Sequence, residues 1–179
     1  MDKNDVLAEL QDKVSVQDYS KKTVIDGVKF IDLNLFTDDG GSFMELMRLD
    51  GGQVKGVEGF ELKQVNHSVL EAGAVKAFHL HFEQEELWYI PPANKVLMGL
   101  YDVRAESPTK GVSMRFALGD HKTRLLLIPR GVAHGVANVT QERQQIIYFS
   151  SNTFNIEQPD ENRLPWDILG AEFWSIANE

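Results

Sequence analysis

Three of the chain's five histidines fall in two segments whose spacing could support chemistry. His79 and His81 are two residues apart in a stretch with the alternating pattern of a β-strand, so their side chains share one face. Acidic residues follow this pair closely, and His134 comes about fifty residues later, after a turn built on Pro129 and Gly131. Imidazole and carboxylate groups gathered in this way can transfer protons or bind a divalent metal ion. The two segments therefore predict a site for one of these two kinds of chemistry.

The elements that must position these histidines are many short strands. From Val28 onward apolar and polar residues alternate, and turns rich in Gly, Pro, Asp or Asn separate most of the segments. Strands are predicted at residues 31–35, 43–49, 62–68, 74–81, 87–90, 95–103, 112–118, 124–128, 132–139 and 144–150. Residues 4–14 have helical apolar spacing behind an Asn/Asp cap, which predicts one short helix on the outside. This pattern is typical of an all-β sandwich or closed jelly-roll barrel.

Composition narrows the classes of partner. A chain of 179 residues and 20.2 kDa fits one domain. The net charge of -9 and the pI near 5.0 argue against general affinity for nucleic acid or anionic membrane, both of which need a basic face. Without cysteine there is no disulfide, thiolate metal site or thiol nucleophile. The polar start and the lack of an apolar run of about 20 residues predict a cytoplasmic protein with no membrane span.

The two histidine segments resemble the two short signatures of the cupin superfamily. Their spacings are Gly73-x5-His79-x-His81-x3-Glu85 and Pro129-x-Gly131-x2-His134-x3-Asn138. The glycine that closes the first signature is missing, and Pro91-Pro92-Ala93-Asn94 stands in its place. The resemblance implies one cupin domain over residues 1–179, with a jelly-roll β-barrel core at about 25–155. Residues 1–22 would then be a peripheral helical extension and residues 156–179 an irregular C-terminal closing segment.

A narrower resemblance, over roughly residues 25–165, is to the dTDP-4-dehydrorhamnose 3,5-epimerases. Its most specific part is the segment Asp102-x-Arg104-x2-Ser107-Pro108-Thr109-x-Gly111. Other similar blocks are Ile128-Pro129-x-Gly131-x-Ala133-His134-Gly135, Asp38-x2-Gly41-x-Phe43-x-Glu45 and Gln64-x-Asn66-His67-Ser68. The placement of Gln84 after His79, and of Tyr148 fourteen residues past His134, also fits this family.

This resemblance implies an isomerase acting beside the ketone of a dTDP-linked, or other nucleoside-diphosphate-linked, 4-keto-6-deoxy sugar. A positioned base can remove a C–H next to a carbonyl to give an enolate, and return of the proton to the opposite face inverts the carbon. By the resemblance His79 is the base and Tyr148 the acid, with no cofactor. The resemblance also implies a homodimer, and it places substrate-binding side chains at Glu45, Gln64, Asn66, Lys76, His81, Arg104 and His134.

The chain departs from this family pattern at several positions. Lys76 stands where the family usually has arginine, and Gly40 where it has an arginine that meets phosphate. Glu86 falls near the family's active-site lysine, which reverses the charge that stabilises an enolate. The family's C-terminal Ser-x-Lys-Asp segment, whose aspartate orients the histidine, has no counterpart in this chain. Asp102 and Glu86 are the candidates to orient His79 in its place.

His81 is a further departure, since the family usually has glutamine there, and it opens two other hypotheses. His79, His81, Glu85 (or Glu86) and His134 would suit a divalent first-row metal such as iron, manganese, nickel or zinc. That set favours a metal-dependent isomerase, lyase or dioxygenase. A metal ion bound to His79 would prevent this residue from acting as a free base. The third hypothesis is a non-catalytic cupin that binds a sugar nucleotide, motivated by the missing orienting aspartate and lysine.

Overall fold

A computed structural model shows a chain built almost entirely of β-strands, and it describes residues 2–17, 19–20 and 23–176. A few short helices lie near the two ends. The strands are β1 (Lys29–Asp32), β2 (Leu35–Asp38), β3 (Gly41–Met44), β4 (Leu49–Asp50), β5 (Gln53–Val54), β6 (Gln64–Leu70), β7 (Val75–Leu80), β8 (Glu86–Tyr89), β9 (Lys95–Asp102), β10 (Ser113–Gly119), β11 (Arg124–Ile128), β12 (Val132–Ala137), β13 (Gln144–Ser150) and β14 (Asn162–Arg163).

Ten of these strands form two five-stranded sheets, in which every pairing is antiparallel. The first sheet has the order β1-β11-β8-β13-β6, and the second has the order β10-β9-β12-β7-β14. Neighbours in each sheet are mostly distant in sequence, so the chain crosses repeatedly between the sheets. This connectivity is that of a jelly roll. The predicted all-β jelly roll with a short N-terminal helix is therefore confirmed.

Strand β8, at the centre of the first sheet, is buried on both faces. Glu86, Leu87, Trp88 and Tyr89 are all buried, because successive side chains point to opposite faces of the sheet. Trp88 packs in the central core, which contains side chains of both sheets. Leu87 and Tyr89 pack in an outer cluster beneath residues 44–62, with Phe60 at its centre. Glu86 and Trp88 thus face the interior that the two sheets share.

The C-terminal segment covers the outer face of the second sheet. Residues Ala171–Trp174 form a 3-10 helix, and the Trp174 ring lies 5.1 Å from the ring of Phe78. A Cβ placed on Gly99 would come within 2.5 Å of both Phe173 and Trp174, so only glycine allows this close packing. The predicted irregular closing segment is present as far as residue 176, and residues 177–179 lie outside the described residues. The domain boundaries drawn from the sequence stay a prediction.

The N-terminal helix is shorter than predicted over residues 4–14. The structure has a 3-10 turn at Lys3–Asp5 and one α-helical turn, α1 (Ala8–Gln11). The residues of α1 are exposed or half-buried, so little packing stabilises a longer helix. Residues 1, 18, 21 and 22 of the predicted extension lie outside the described residues. No helix in the described part of the chain is long and apolar enough to cross a membrane.

The strand predicted at residues 43–49 was also wrong in extent. Strand β3 ends at Met44, and Leu46 and Met47 turn inward to pack in the outer cluster of the first sheet. The chain then forms the hairpin of β4 and β5, which the sequence did not predict. Its turn is made by Gly51 and Gly52, with φ of 55° and 87°. Both values lie in the left-handed region that favours glycine.

Asp102, at the end of β9, is the centre of a buried polar network. Its carboxylate accepts hydrogen bonds from Arg104 Nε at 2.8 Å, Ser107 Oγ at 2.5 Å and Thr109 Oγ1 at 2.7 Å. Hydrogen bonding by Arg104 is the main cause that holds the pKa of Asp102 well below its usual range, although burial opposes the shift. The epimerase-like motif of the sequence therefore folds into a structural brace between β9 and the following turn.

We expect Asp102→Asn to lower the free energy of unfolding at pH 7 by about 2–4 kcal/mol, because the variant leaves buried donors around a neutral amide. The low pKa of Asp102 in the folded state stabilises the fold at every pH above the unfolded-state pKa, which is about 3.9. This stabilisation is lost as the pH falls from there through the folded-state pKa. The difference from the parent protein should therefore begin to shrink as the pH falls below about 4 and keep shrinking towards the folded-state pKa. Urea unfolding measures it.

Asp32→Asn is the matched control, because Asp32 pairs with Arg124 at 3.2 Å in an exposed position. Its loss should cost less than about 1 kcal/mol. Equal effects of the two substitutions would contradict the role assigned to the Asp102 network.

Candidate active site

The two sheets enclose a cavity of about 360 Å³ that opens to solvent. Strands β7 and β12 of the second sheet face strands β6, β8 and β13 of the first across it. The segment 160–163, which includes β14, forms part of the rim. The lining residues are Ser68, Lys76, His79, His81, Glu86, Trp88, His134, Val136, Ile146, Tyr148, Glu161 and Arg163.

A β-bulge places Lys76 in the same cavity as His79. Strands β7 and β12 pair His79 with His134, and the two rings stack with centroids 6.0 Å apart. The register then shifts, so that Val136 pairs with Lys76 and not with Ala77. Strict alternation would point Lys76 away from the cavity, and the extra residue in β7 reverses this. The cavity therefore has a positive side chain near its histidines.

Three side chains deep in the cavity form what we call the buried cage, namely His81, Glu86 and His134. Each side chain is at most 4% exposed. Glu86 Oε2 lies 3.2 Å from His134 Nε2, and Glu86 Oε1 lies 3.6 Å from His81 Nε2. Trp88 Nε1 donates to Oε2 at 2.6 Å, and Gln84 Nε2 donates to Oε1 at 3.2 Å. Each carboxylate oxygen thus has one N–H donor and one histidine nitrogen beside it.

Backbone carbonyls fix the orientation of both histidines of the buried cage. His81 Nδ1 donates to the carbonyl of Asp160, and His134 Nδ1 donates to the carbonyl of Val132 at 3.1 Å. A carbonyl only accepts, so Nδ1 must carry the proton in each ring. Nε2 is therefore the nitrogen that each ring turns towards Glu86.

Glu86 is ionised despite its burial. Burial raises the pKa of its carboxyl group, but hydrogen bonding by His134, the electrostatic attraction of His134 and His81, and hydrogen bonding by Trp88 together outweigh this effect. The net result is a pKa below the ordinary value. The interior of the cavity therefore contains a negative charge that needs compensation from its neighbours.

His79 lies nearer the mouth, with 23% of its side chain exposed. Its Nδ1 is 3.7 Å from Glu161 Oε2, and its Nε2 is 3.5 Å from Arg163 Nη1. Burial is the main cause that lowers the pKa of His79 to about 4, and the charges of His134 and Arg163 lower it further. His79 is consequently neutral near pH 7, the form in which an imidazole can accept a proton.

Tyr148 faces His79 from the opposite sheet. It comes from β13 of the first sheet, whereas His79 comes from β7 of the second. The Tyr148 ring stacks on Trp88 with centroids 5.6 Å apart. Burial raises the pKa of Tyr148, and the charges of Glu86 and Glu161 raise it further. The phenol therefore keeps its proton and can donate it into the cavity.

The structure brings most of the predicted site residues together. His79, His81, His134, Lys76 and Tyr148 all line the cavity. Gln64 and Asn66 line an adjoining recess of about 310 Å³, which shares Tyr148 and Glu161 with the main cavity. The cavity and recess together form a longer groove than the cavity alone.

Two residues predicted to bind substrate lie outside this cavity. Glu45 forms an exposed ion pair with Arg48, with an N–O distance of 2.6 Å. Arg104 is held by Asp102, and its Nη2 donates to the carbonyl of Asp26 at 2.8 Å. Both residues thus lie outside the cavity of this chain, and their predicted roles in substrate binding stay a prediction. The motif around Arg104 stabilises the fold instead of lining the cavity.

The sequence left Glu85 and Glu86 open as the carboxylate of the metal set, and the structure favours Glu86. Glu85 precedes β8, and its backbone N–H donates to Ser151 Oγ at 2.8 Å. Alternation along the chain turns Glu86 inward and Glu85 away from the cavity. Among the described residues, the ligand atoms of His81, Glu86 and His134 lie within 4.8 Å of one another, and this group does not include His79.

The segment 160–163 supplies site residues that sequence reasoning missed. Its Asp160 carboxylate accepts the N–H groups of residues 82, 83 and 84 at 2.8, 2.8 and 3.0 Å, which holds the turn after His81. Glu161 and Arg163 both approach His79, so neither Asp102 nor Glu86 is the carboxylate beside its Nδ1. The signal in the sequence was the spacing of Glu161 and Arg163, two residues apart as on a strand face.

Fold and site together define a cupin-type jelly roll with histidine and tyrosine on opposite walls of one cavity. Residues 22–171 match the model of the dTDP-4-dehydrorhamnose 3,5-epimerase family. The match covers most of the 179 residues, so the chain belongs to this family of isomerases. The resemblance found in the sequence is thereby confirmed.

Individual relatives agree with this assignment. The chain is 40% identical to the spore coat polysaccharide biosynthesis protein SpsL of Bacillus subtilis, over 80% of this chain and 91% of that protein. It is 29% identical to the probable low-salt glycan biosynthesis epimerase Agl13 of Haloferax volcanii, over 80% and 89% of the two chains. A solved structure of the dTDP-6-deoxy-D-glucose-3,5-epimerase RmlC from Legionella pneumophila, in complex with dTDP-4-keto-L-rhamnose, aligns with a TM-score of 0.71 and 25% identity, covering 88% of this chain and 83% of that one.

Proposed function

We propose that this protein epimerises a nucleoside-diphosphate-linked 4-keto-6-deoxy sugar, with His79 as base and Tyr148 as acid. The observation that carries the proposal is the placement of these two side chains on facing sheets across one cavity. Inversion of a carbon requires removal of a proton from one face and delivery of a proton to the other. Two groups on opposite walls meet that requirement. The proton transfers use side chains alone.

The neighbours of His79 suit the role of a base. The Glu161 carboxylate near Nδ1 favours a proton on that nitrogen, so Nε2 accepts the substrate proton once the sugar displaces Arg163 Nη1 from its position 3.5 Å away. Tyr148 then donates to the enolate carbon from the other face. Arg163 and Lys76 place positive charge at the cavity, where charge develops on the enolate oxygen.

The groove also suits an elongated substrate with a diphosphate. Lys76 Nζ donates to Ser68 Oγ at 3.3 Å and to the Val69 carbonyl at 3.2 Å, which holds its charge at the cavity wall. Gln64 and Asn66 offer amide groups in the adjoining recess. The Legionella structure contains a dTDP-4-keto sugar, and its similarity supports a substrate of this class. We therefore propose a nucleoside diphosphate sugar as the partner. The cytoplasm, predicted from the sequence, stays the proposed location.

A test in deuterated water follows from this assignment. With dTDP-4-keto-6-deoxyglucose, the protein should incorporate solvent deuterium at C3 or C5 and invert that carbon. His79→Asn should reduce turnover about 10²- to 10⁴-fold, the usual contribution of general acid–base catalysis. Tyr148→Phe should retain exchange at the carbon that His79 deprotonates but lose inversion, because the proton returns from the same face. NMR of the product measures both.

The control variant is His67→Asn, since His67 is exposed and contacts Gln145 outside the cavity. It should keep the exchange rate of the parent protein. If no deuterium enters the sugar, the assignment for this substrate is wrong. Thermal stabilisation by the sugar nucleotide without turnover would then support the non-catalytic alternative.

Glu161→Gln tests the positioning of His79. We expect kcat to fall about tenfold, a fraction of the acid–base contribution, while KM changes little. The amide keeps the size of the side chain but removes the charge beside Nδ1. Glu157→Gln is the control, because Glu157 is exposed in the same segment. A fall in kcat that is equal in both variants would show that Glu161 has no positioning role.

The proposed active form is a homodimer. Phe36 and Phe43 pair across the hairpin of β2 and β3 and are 62% and 66% exposed. An exposed aromatic pair on a hairpin outside both sheets is typical of an interface.

Light scattering should give twice the chain mass of 20.2 kDa, and the double variant Phe36→Ser, Phe43→Ser should give the monomer mass. The control is Phe82→Ser, which is 63% exposed but lies outside the hairpin. It should stay dimeric. A monomeric parent protein would refute the proposed assembly.

A further inference from the structure

The buried cage has the dimensions of a metal site. With metal–ligand bonds of about 2.0–2.2 Å and tetrahedral angles, two ligand atoms are about 3.3 Å apart. The distances from Glu86 oxygens to His134 Nε2 and His81 Nε2 are 3.2 and 3.6 Å. The three ligand atoms converge from β12, β8 and the turn after β7. All three lie within 4.8 Å of one another.

The hydrogen bonds of the buried cage direct the Nε2 atoms of both histidines and the Glu86 carboxylate towards one another. His81 and His134 each use Nδ1 to donate to a backbone carbonyl, so in a neutral ring Nε2 has only a lone pair. The Glu86 carboxylate, which Gln84 and Trp88 hold from outside, is also only an acceptor. Three such acceptors repel each other unless protons on Nε2 or a metal cation lie among them.

The outer contacts are those that metal-binding histidines typically make. A ligating histidine usually donates its second nitrogen to a backbone carbonyl or carboxylate, which fixes the ring and the tautomer. Both histidines of the buried cage do this. Asp160 additionally caps the turn that follows His81, through the N–H groups of residues 82–84. The ligands are thus oriented before any ion arrives.

We propose that His81, Glu86 and His134 bind one divalent first-row transition metal ion. Two imidazole nitrogens and one carboxylate suit zinc, iron, manganese, cobalt or nickel, whereas magnesium and calcium prefer oxygen ligands. The remaining coordination positions face the open cavity. This site stands independently of the proposed epimerase function, because it rests on the buried cage alone.

His79 is not a ligand in this proposal, which separates the metal from the base. The sequence predicted a four-residue set that includes His79, so that metal binding and base catalysis excluded each other. His79 lies outside the group of converging ligand atoms and contacts Glu161 and Arg163 instead. An ion in the buried cage therefore leaves His79 free. It also adds a positive charge beside the negative Glu86, at the back of the cavity.

Metal binding can be measured without any substrate. Protein purified without chelator should contain close to one metal ion per chain by mass spectrometry. After chelator treatment, calorimetric titration with Zn²⁺ should show one tight site. Glu86→Gln should weaken that site at least about 100-fold, because even the loss of an outer contact to a metal ligand costs 10–100-fold. His79→Asn and His67→Asn should each change it less than about threefold.

A second measurement uses the parent protein and does not depend on folding of a variant. Trp88 donates to Glu86 and contacts the His134 ring edge-on, with centroids 5.6 Å apart. Titration with Co²⁺ should therefore quench tryptophan fluorescence and produce visible absorption bands, both saturating at one ion per chain. Loss of this quenching in Trp88→Phe, with Trp166 and Trp174 still present, would locate the ion beside Trp88.

The outcomes separate a metal site from a site filled by protons. If the histidines of the buried cage are protonated at Nε2 instead, the protein is purified without metal and stripped protein shows no tight site for Zn²⁺ or Co²⁺. Binding that Glu86→Gln leaves unchanged would place the ion on other histidines. Either result overturns the proposal. Neither result bears on deuterium exchange, so the epimerase assignment is tested separately.

Discussion

The ionised carboxylate of Glu86 is the group on which the arrangement of the cavity depends. A charge removed from water destabilises the fold by several kcal/mol unless partners compensate it. The partners of Glu86 come from both sheets, with Trp88 in the first and His134 in the second. The contacts of this one charge therefore join the two sheets at the cavity. The charge also explains why histidines stand where most of the interior is apolar.

The sequence predicted the fold well because alternation and turn residues are local signals. Strands β9, β11 and β13 match their predicted ranges within one residue. His79 and His81 could be placed in one site from their two-residue spacing, and the signature around His134 supplied the facing strand. Lys76 shows the limit of this reasoning. Its orientation depends on a register shift between β7 and β12, which is a property of the pair of strands and not of either strand alone.

The sequence could not reveal the contacts of every motif residue, because motif membership does not show what a side chain touches. Arg104 belongs to the most specific motif, yet Asp102 holds it in the structural core of a turn. Glu161 belongs to no recognised motif, yet folding brings it from more than eighty residues away to His79. The N-terminal helix failed for a different reason. Its periodicity was real, but no apolar surface of the barrel covers it.

The short pairing of β14 with β7 has an evolutionary consequence. Asn162 and Arg163 lie opposite Leu80 and His79, and Leu164 exchanges backbone hydrogen bonds with Phe78, so this segment contributes little to the main hydrogen-bond ladders of the barrel. The segment nevertheless contacts His79 through the side chains of Glu161 and Arg163, and it contacts His81 through the backbone carbonyl of Asp160. Substitution of a few residues in this one segment can therefore change the surroundings of both histidines in the course of evolution, while the rest of the barrel stays unchanged.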